Sequence, residues 1–341
     1  MEKLAEDLYV YSTVAFVGKN ASGKTTAVEL LDCCYSILGE FRLENKLYSY
    51  DNVNLEIIFY HEGNIYKYVT TLENDQTSYN KAIFTNEHIY KKQYYKTKIK
   101  MIYEDNDFIE LTNLGELPED TSDVFFILKK KKISAVYFDS EGKGKGISTY
   151  ELLFQALKNY NISSETLINI IQIFDSNIRK LEMKDDNNYE VEFTDNKYTV
   201  SDKELIHLLS SGTTKGILLY TIAVASLRGG FDLIIDEIEN HFHKTLVENL
   251  ISLYKDKMVN KKNATLYFST HYCEILDLFN RQDNIWIAKS DNKVHLENMY
   301  TTYNIRPELL KSKQFYDNTF NTAVNYAELM NLKRKLMKWS I

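Results

Sequence analysis

Residues 18–25, Gly-Lys-Asn-Ala-Ser-Gly-Lys-Thr, fill every fixed position of the pattern G-x-x-x-x-G-K-[S/T]. No other feature constrains the chain as strongly, because this loop works only between a strand and a helix. The β-branched and aromatic run at 8–17 reads as one strand. Residues 25–38 read as a helix, with Val28, Leu31, Cys34 or Tyr35 and Leu38 at helical spacing and Gly39 ending the run. In that setting Gly18 and Gly23 let the backbone curl so that N–H groups converge on phosphate oxygens, and the helix start adds its positive end. Lys24 would neutralise phosphate charge and the Thr25 hydroxyl would ligate Mg²⁺. Asn20, Ser22 and Thr26 belong to the same candidate phosphate cradle.

The chain has 341 residues, a size expected of two domains or of one with a large insertion. A net charge of −7 excludes a protein built mainly to coat nucleic acid. Apolar runs fall short of the ~18–20 residues of a membrane span, and the start, Met1-Glu2-Lys3-Leu4-Ala5-Glu6-Asp7, is unlike a secretory signal. Three cysteines, two of them adjacent at Cys33-Cys34, make neither a disulfide framework nor a zinc pattern. A reducing cytoplasm is the expected compartment.

From about 46 to 115 short alternating runs broken by Gly63-Asn64 and Asn74-Asp75 predict antiparallel hairpins. Within them residues 90–100 interleave lysines with tyrosines, which suits either a strand facing nucleic acid or an exposed edge guarded by lysines. Lys129 to Lys132 poses the same choice. Residues 142–147 read as a flexible joint, 148–160 and 163–181 as helices, and 188–200 as a short β piece. An α/β alternation follows.

Three further motifs carry chemistry. The apolar strand Phe231-Asp-Leu-Ile-Ile-Asp-Glu237 ends in two acids: Asp236 would hold Mg²⁺, and Glu237 would orient and deprotonate an attacking water. The segment Leu208-Leu-Ser-Ser-Gly-Thr-Thr-Lys-Gly216 opens an apolar helix. Its Ser210, Ser211 and Gly212 form either an anion-binding nest or an ordinary N-cap. The strand Ala264-Thr-Leu-Tyr-Phe-Ser-Thr-His271 ends in a histidine placed to reach a γ-phosphate.

Taken in order, residues 18–25, 209–213, Asp236-Glu237 and His271 resemble the ABC/SMC-type ATPases, where these parts are called Walker A, signature, Walker B and switch histidine. Ser-Ser-Gly-Thr at 210–213, Asp-Glu-Ile-Glu-Asn at 236–240 and Ser-Thr-His at 269–271 are similar to a narrower group. That group is the prokaryotic AAA ATP-binding branch near the OLD family, with the ATPase subunits of phage-defence and abortive-infection systems. Tyr303-Asn-Ile-Arg-Pro-Glu-Leu-Leu and Phe315-Tyr-Asp-Asn-Thr-Phe resemble its C-terminal end, less specifically. The likeness covers about 8–40 and 165–325.

What the resemblance implies is an α/β P-loop fold of ABC-ATPase head type, a mixed sheet with an antiparallel β lobe and a helical lid. The nucleotide-binding core would comprise 1–45 and 201–341, the β-rich lobe 46–146 and the lid 147–200. Two copies would close face to face on two ATPs with Mg²⁺, forming a homodimer or a higher even oligomer. Ser210 and Gly212 would then reach the γ-phosphate across the seam, and Glu239, Asn240 and His243 would form a loop linking the two sites. The expected function is a slow ATPase controlling a separately encoded effector, a nuclease or toxin, in anti-phage defence. A built-in metal-dependent nuclease is not expected in the roughly 70 residues after His271. The alternative is a DNA-repair ATPase of recombination-mediator type, with nucleic acid as partner; a membrane partner is not expected.

Overall fold

The computed structural model describes residues 2–40, 43, 52–75, 82–113, 133–136, 149–185, 188–201, 204–205, 208–239, 242–290, 292–306, 308–322 and 326–338. Lys129 to Lys132, the joint at 142–147 and Asn240 lie outside the described residues. The chain divides into two compact bodies, Met1–Ser12 with Glu29–Ala135, and Thr13–Val28 with Val136–Ile341.

In the first body the hairpin periodicity becomes a four-stranded antiparallel sheet, Val53–His61, Asn64–Asn74, Ala82–Gln93 and Ile109–Asn113, each paired to the next. Leu55, Ile57, Tyr66, Tyr68, Leu72 and Ile89 pack with Cys33, Ile37 and Leu38 of the helix Lys24–Glu40. The stretch 90–100 is not one strand. Pairing stops at Gln93, where the Tyr94 N–H turns to the Gly63 carbonyl at 2.8 Å, and Lys96–Met101 winds into a 3₁₀ turn. The lysines there meet acids of the same body: Lys96 pairs with Glu6 at 2.6 Å and Lys98 with Asp107. Lys92 donates to the carbonyls of Met101 and Glu104.

The second body holds the α/β part. Four strands run parallel in the order Ile285–Ser290, Thr13–Val17, Leu266–Thr270, Asp232–Ile235, and Val294–Asn298 adds antiparallel outside the first. Thr13–Val17 and Asp232–Ile235 are buried along their whole length, as strands of a parallel sheet covered on both faces must be. The apolar helix Ser211–Gly229 packs in the same core as Leu233, Ile235, Leu266 and Phe268, and the amphipathic helix Lys244–Lys255 joins them. Gly230, at φ +79°, ends the first of these helices in a left-handed cap, its N–H bonded to the Ser226 carbonyl at 2.7 Å.

Two expected elements divide. The run 8–17 is two strands: Leu8–Val10 folds back onto Glu2–Ala5, while Thr13–Val17 joins the parallel sheet. A β-branched and aromatic run does not signal that its hydrogen-bond partner changes midway. The expected helix 163–181 stops at Phe174, and Ile178–Met183 is a strand. Asp175 is the reason: its carboxylate accepts the Asn177 N–H at 2.9 Å, a turn that competes with helix. Beyond it Ile178 and Leu181 face the core from a three-stranded sheet with Asn188–Phe193 and Lys197–Ser201.

Gly216 lies inside the helix Ser211–Gly229, where a Cβ would fall 2.2 Å from the Phe174 ring. That ring is held by Tyr220 and Phe242, with centroids 5.5 and 6.4 Å away. Alanine in a helix interior normally gains about 1 kcal/mol over glycine. Here overlap wins, and Gly216→Ala is expected to lower stability by about 1–3 kcal/mol in urea unfolding.

Candidate nucleotide site

Register brings the motifs together. Val17 pairs with Thr270 and Ile235 with Phe268, so Gly18, His271, Asp236 and Ser269 all emerge at the carboxyl edge of the parallel strands. In open α/β sheets that edge is where ligands bind. A cavity of about 580 Å³ lies there, lined by residues 20–26 of the loop with Glu237, His271 and Val294.

The loop's two motif glycines are fixed by space. A Cβ on Gly18 would lie 2.4 Å from Ser22 Oγ and 2.7 Å from the Ala288 carbonyl. Gly23 stands at φ +94°, and a Cβ there would sit 2.1 Å from Val294 Cγ1. Ala21 is also left-handed, at φ +57°. The loop thus curls tightly into the helix Lys24–Glu40, whose first amides have no acceptor in a preceding turn. Ser22 is buried and its hydroxyl finds no partner among the described residues, an orphaned polar atom within the cradle.

Lys24 is only 6% exposed, and its ammonium donates to the carbonyls of Gly18 at 3.1 Å and Lys19 at 3.0 Å. Burial lowers its pKa below the usual lysine value, while the carboxylates of Glu237, Glu239 and Asp236 pull it back up. A cation so desolvated is favoured by any anion that enters beside it.

Asp236 is gripped from two sides: Thr25 Oγ1 donates to Oδ2 at 2.9 Å and Ser269 Oγ to Oδ1 at 2.5 Å. Because Thr25 donates to the carboxylate, its oxygen lone pairs stay free for a cation. A hydroxyl beside a carboxylate is the hard-oxygen pair that suits Mg²⁺, which takes few protein ligands and completes its shell with phosphate and water. Among the described residues there is no group of three or more His, Cys, Asp or Glu able to hold a metal by itself. These residues therefore fit Mg²⁺ shared with a polyphosphate.

Glu237 and His271 both line the cavity, with His271 Nε2 3.7 Å from Glu237 Oε1. The His271 backbone N–H is held by Glu239 Oε1 at 2.5 Å, so Glu239 acts inside its own chain as a support for the histidine's backbone. His243 caps the helix Lys244–Lys255 by accepting the Thr245 N–H.

Ser210 and Gly212 are not among the described residues that line the cavity. Ser210 is the N-cap of the helix Ser211–Gly229: its Oγ accepts the Thr213 N–H at 3.0 Å, and Ser210 itself is exposed. The sequence motifs missed the role of Ser269, fully buried between Asp236 and the Glu237 amide. Its signal was a small hydroxyl residue two positions before the histidine, in register with the acidic strand end.

No protein-family model matches the sequence, and no curated protein is significantly similar to it. Among solved structures the chain is similar to the SMC head domain from Thermotoga maritima, at 13% identity and a TM-score of 0.39 over 84% of this chain and 89% of that one. It is also similar to an SMC head bound to the C-winged-helix domain of ScpA, at 12% identity and 0.40 over 86% and 92%. A third is the ATP-binding cassette MJ0796, a post-hydrolysis dimer with ADP and phosphate, at 14% identity and 0.35 over 86% and 88%. The likeness is loose at these TM-scores; the loop and the acidic strand end carry the chemistry by themselves. No helix among the described residues is long and apolar enough to cross a membrane.

Gly23→Ala drives a methyl group into Val294 at a backbone angle that disfavours it. Triphosphate affinity, measured by calorimetry, is expected to fall at least about tenfold. Adding Val294→Ala removes the overlap but not the unfavourable φ, and so should restore only part of the loss.

Proposed function

We propose that the protein is an Mg²⁺-dependent ATPase that closes as a dimer around two ATP molecules. The observation that carries this reading is the single cavity that gathers the glycine-lysine loop with Glu237 and His271. Loop amides and Lys24 would hold the phosphates, and Thr25 and Asp236 would hold Mg²⁺, which would supply charge neutralisation there. Glu237 orients a water and takes its proton as the oxygen attacks the γ-phosphorus and the bond to the leaving oxygen of ADP breaks. His271, near enough to contact both Glu237 and a γ-phosphate, holds that oxygen pattern in place.

The second half of the reading concerns Ser210, Ser211 and Gly212. Ser210 is exposed at its helix start and does not line the cavity of its own chain, as a contributor to a second copy's site requires. A nucleotide so placed favours the closed state only through its extra contacts there. Hydrolysis then resets the dimer, and turnover is slow, below about one per second without a partner.

The closed dimer controls a separately encoded effector, a nuclease or toxin, in anti-phage defence; the Ser-Ser-Gly-Thr, Asp-Glu-Ile-Glu-Asn and Ser-Thr-His segments favour that branch. A role on DNA is the second reading, favoured by the lysine-tyrosine stretch. Against it, Lys92, Lys96 and Lys98 spend their charge on acids and carbonyls of their own body. Nucleic-acid binding that collapses steeply with added salt would favour the DNA reading.

Glu237→Gln is expected to cut ATP turnover at least about a hundredfold while leaving ATP bound. With MgATP its mass by light scattering should double, whereas without nucleotide it should stay that of one chain. Unchanged turnover, or a mass indifferent to ATP, contradicts the reading.

A further inference from the structure

The strand Leu266–Thr270 delivers a serine that is completely buried, Ser269, at 0% exposure. A hydroxyl there must be satisfied internally, and the Ser269 hydroxyl spends its proton and one lone pair in a definite way. Ser269 Oγ donates to Asp236 Oδ1 at 2.5 Å. The same oxygen accepts the Glu237 N–H at 2.7 Å, and the Ser269 carbonyl accepts the Ile238 N–H at 3.0 Å.

Those bonds bear on a strained residue. Glu237 sits at φ +48°, in the left-handed region. For a side chain without special tolerance this costs on the order of 1 kcal/mol or more, and it persists only where the surroundings dictate it. The parallel ladder does not reach it, since the registered pairs end at Ile235 with Phe268. Beyond that pair, the N–H groups of both Glu237 and Ile238 are received by Ser269. An ordinary extended continuation would swing the Glu237 carboxylate to the other side of the strand.

We propose that Ser269 is a positioning residue: it locks the left-handed turn that presents Glu237 to the cavity and fixes one oxygen of Asp236 while Thr25 fixes the other. It touches neither substrate nor cation and acts through Glu237 and Asp236. The inference rests on the assignment of Glu237 made above.

The test compares the full-length chain with Ser269→Ala and, as a control, Thr270→Ala. Thr270 is equally buried, but its hydroxyl accepts the Tyr272 N–H and touches neither acid. The first readout needs no nucleotide: residue-resolved hydrogen exchange at the Glu237 amide. It should speed up at least about tenfold in Ser269→Ala and stay at the wild-type rate in Thr270→Ala. The second is the split between kcat and KM. Ser269→Ala should lower kcat about ten- to a hundredfold with KM for MgATP within about threefold, because a misaimed base slows chemistry more than binding. Wild-type exchange at Glu237 in Ser269→Ala, or an equal loss in Thr270→Ala, overturns the proposal. So does full kcat in Ser269→Ala when Glu237→Gln is inactive. If Glu237→Gln itself retains full turnover, the assignment of the base is what fails, and the exchange rate alone then decides whether Ser269 holds the turn.

Discussion

The carboxylate of Asp236 is the joint on which the site is built. Its two oxygens are each taken by a hydroxyl, Thr25 from the first turn of the loop helix and Ser269 from the neighbouring strand. A carboxylate cannot donate, so both hydroxyls must, and that one fact sets the direction of every bond around it. Thr25 is left with lone pairs aimed away from the acid, and Ser269 with lone pairs for the Glu237 amide. Loop, acidic strand and histidine strand are thereby registered to one another through side chains as well as through the ladder.

Around this joint the sequence spends stability on geometry. Lysine is rarely buried, yet Lys24 is, with only backbone carbonyls as direct partners. Glu237 and Ala21 occupy left-handed angles without being glycine. The Ser22 hydroxyl is buried and finds no partner among the described residues. Strain and desolvation gathered in one place are typical of sites whose missing partner is a ligand. A polyphosphate would answer the lysine and the loop together.

Much of this was legible in the chain. The loop announces itself because its chemistry tolerates few residue types: glycine where Ala288 and Val294 crowd the backbone, lysine for charge, threonine for a short hydroxyl. Asp236, Glu237 and His271 could be placed because a short apolar run ending in a charge reads as a buried strand reaching an edge. What stayed hidden depended on partners distant in sequence. Nothing local in residues 8–17 tells that Leu8–Val10 and Thr13–Val17 join different sheets. The period of 163–181 continues smoothly through Asp175, whose carboxylate ends the helix by a local bond that hydrophobic spacing does not register. Ser269 was visible only as part of the Ser-Thr-His segment, and its bond to Asp236 was not, because that depends on two strands lying in register.

The account's central claim is that a triphosphate held by the loop of one copy is completed by residues 210–212 of another. Mixing two inactive variants tests it most directly. Lys24→Ala spoils the loop and keeps the helix start, whereas Gly212→Asp spoils the helix start and keeps the loop. If sites are shared, a mixture must contain pairs with one intact composite site, and ATP turnover should return to roughly a quarter of the wild-type rate from two near-silent parents. A mixture as inactive as its components, with both variants folded, would show that each chain completes its own site and would contradict the account.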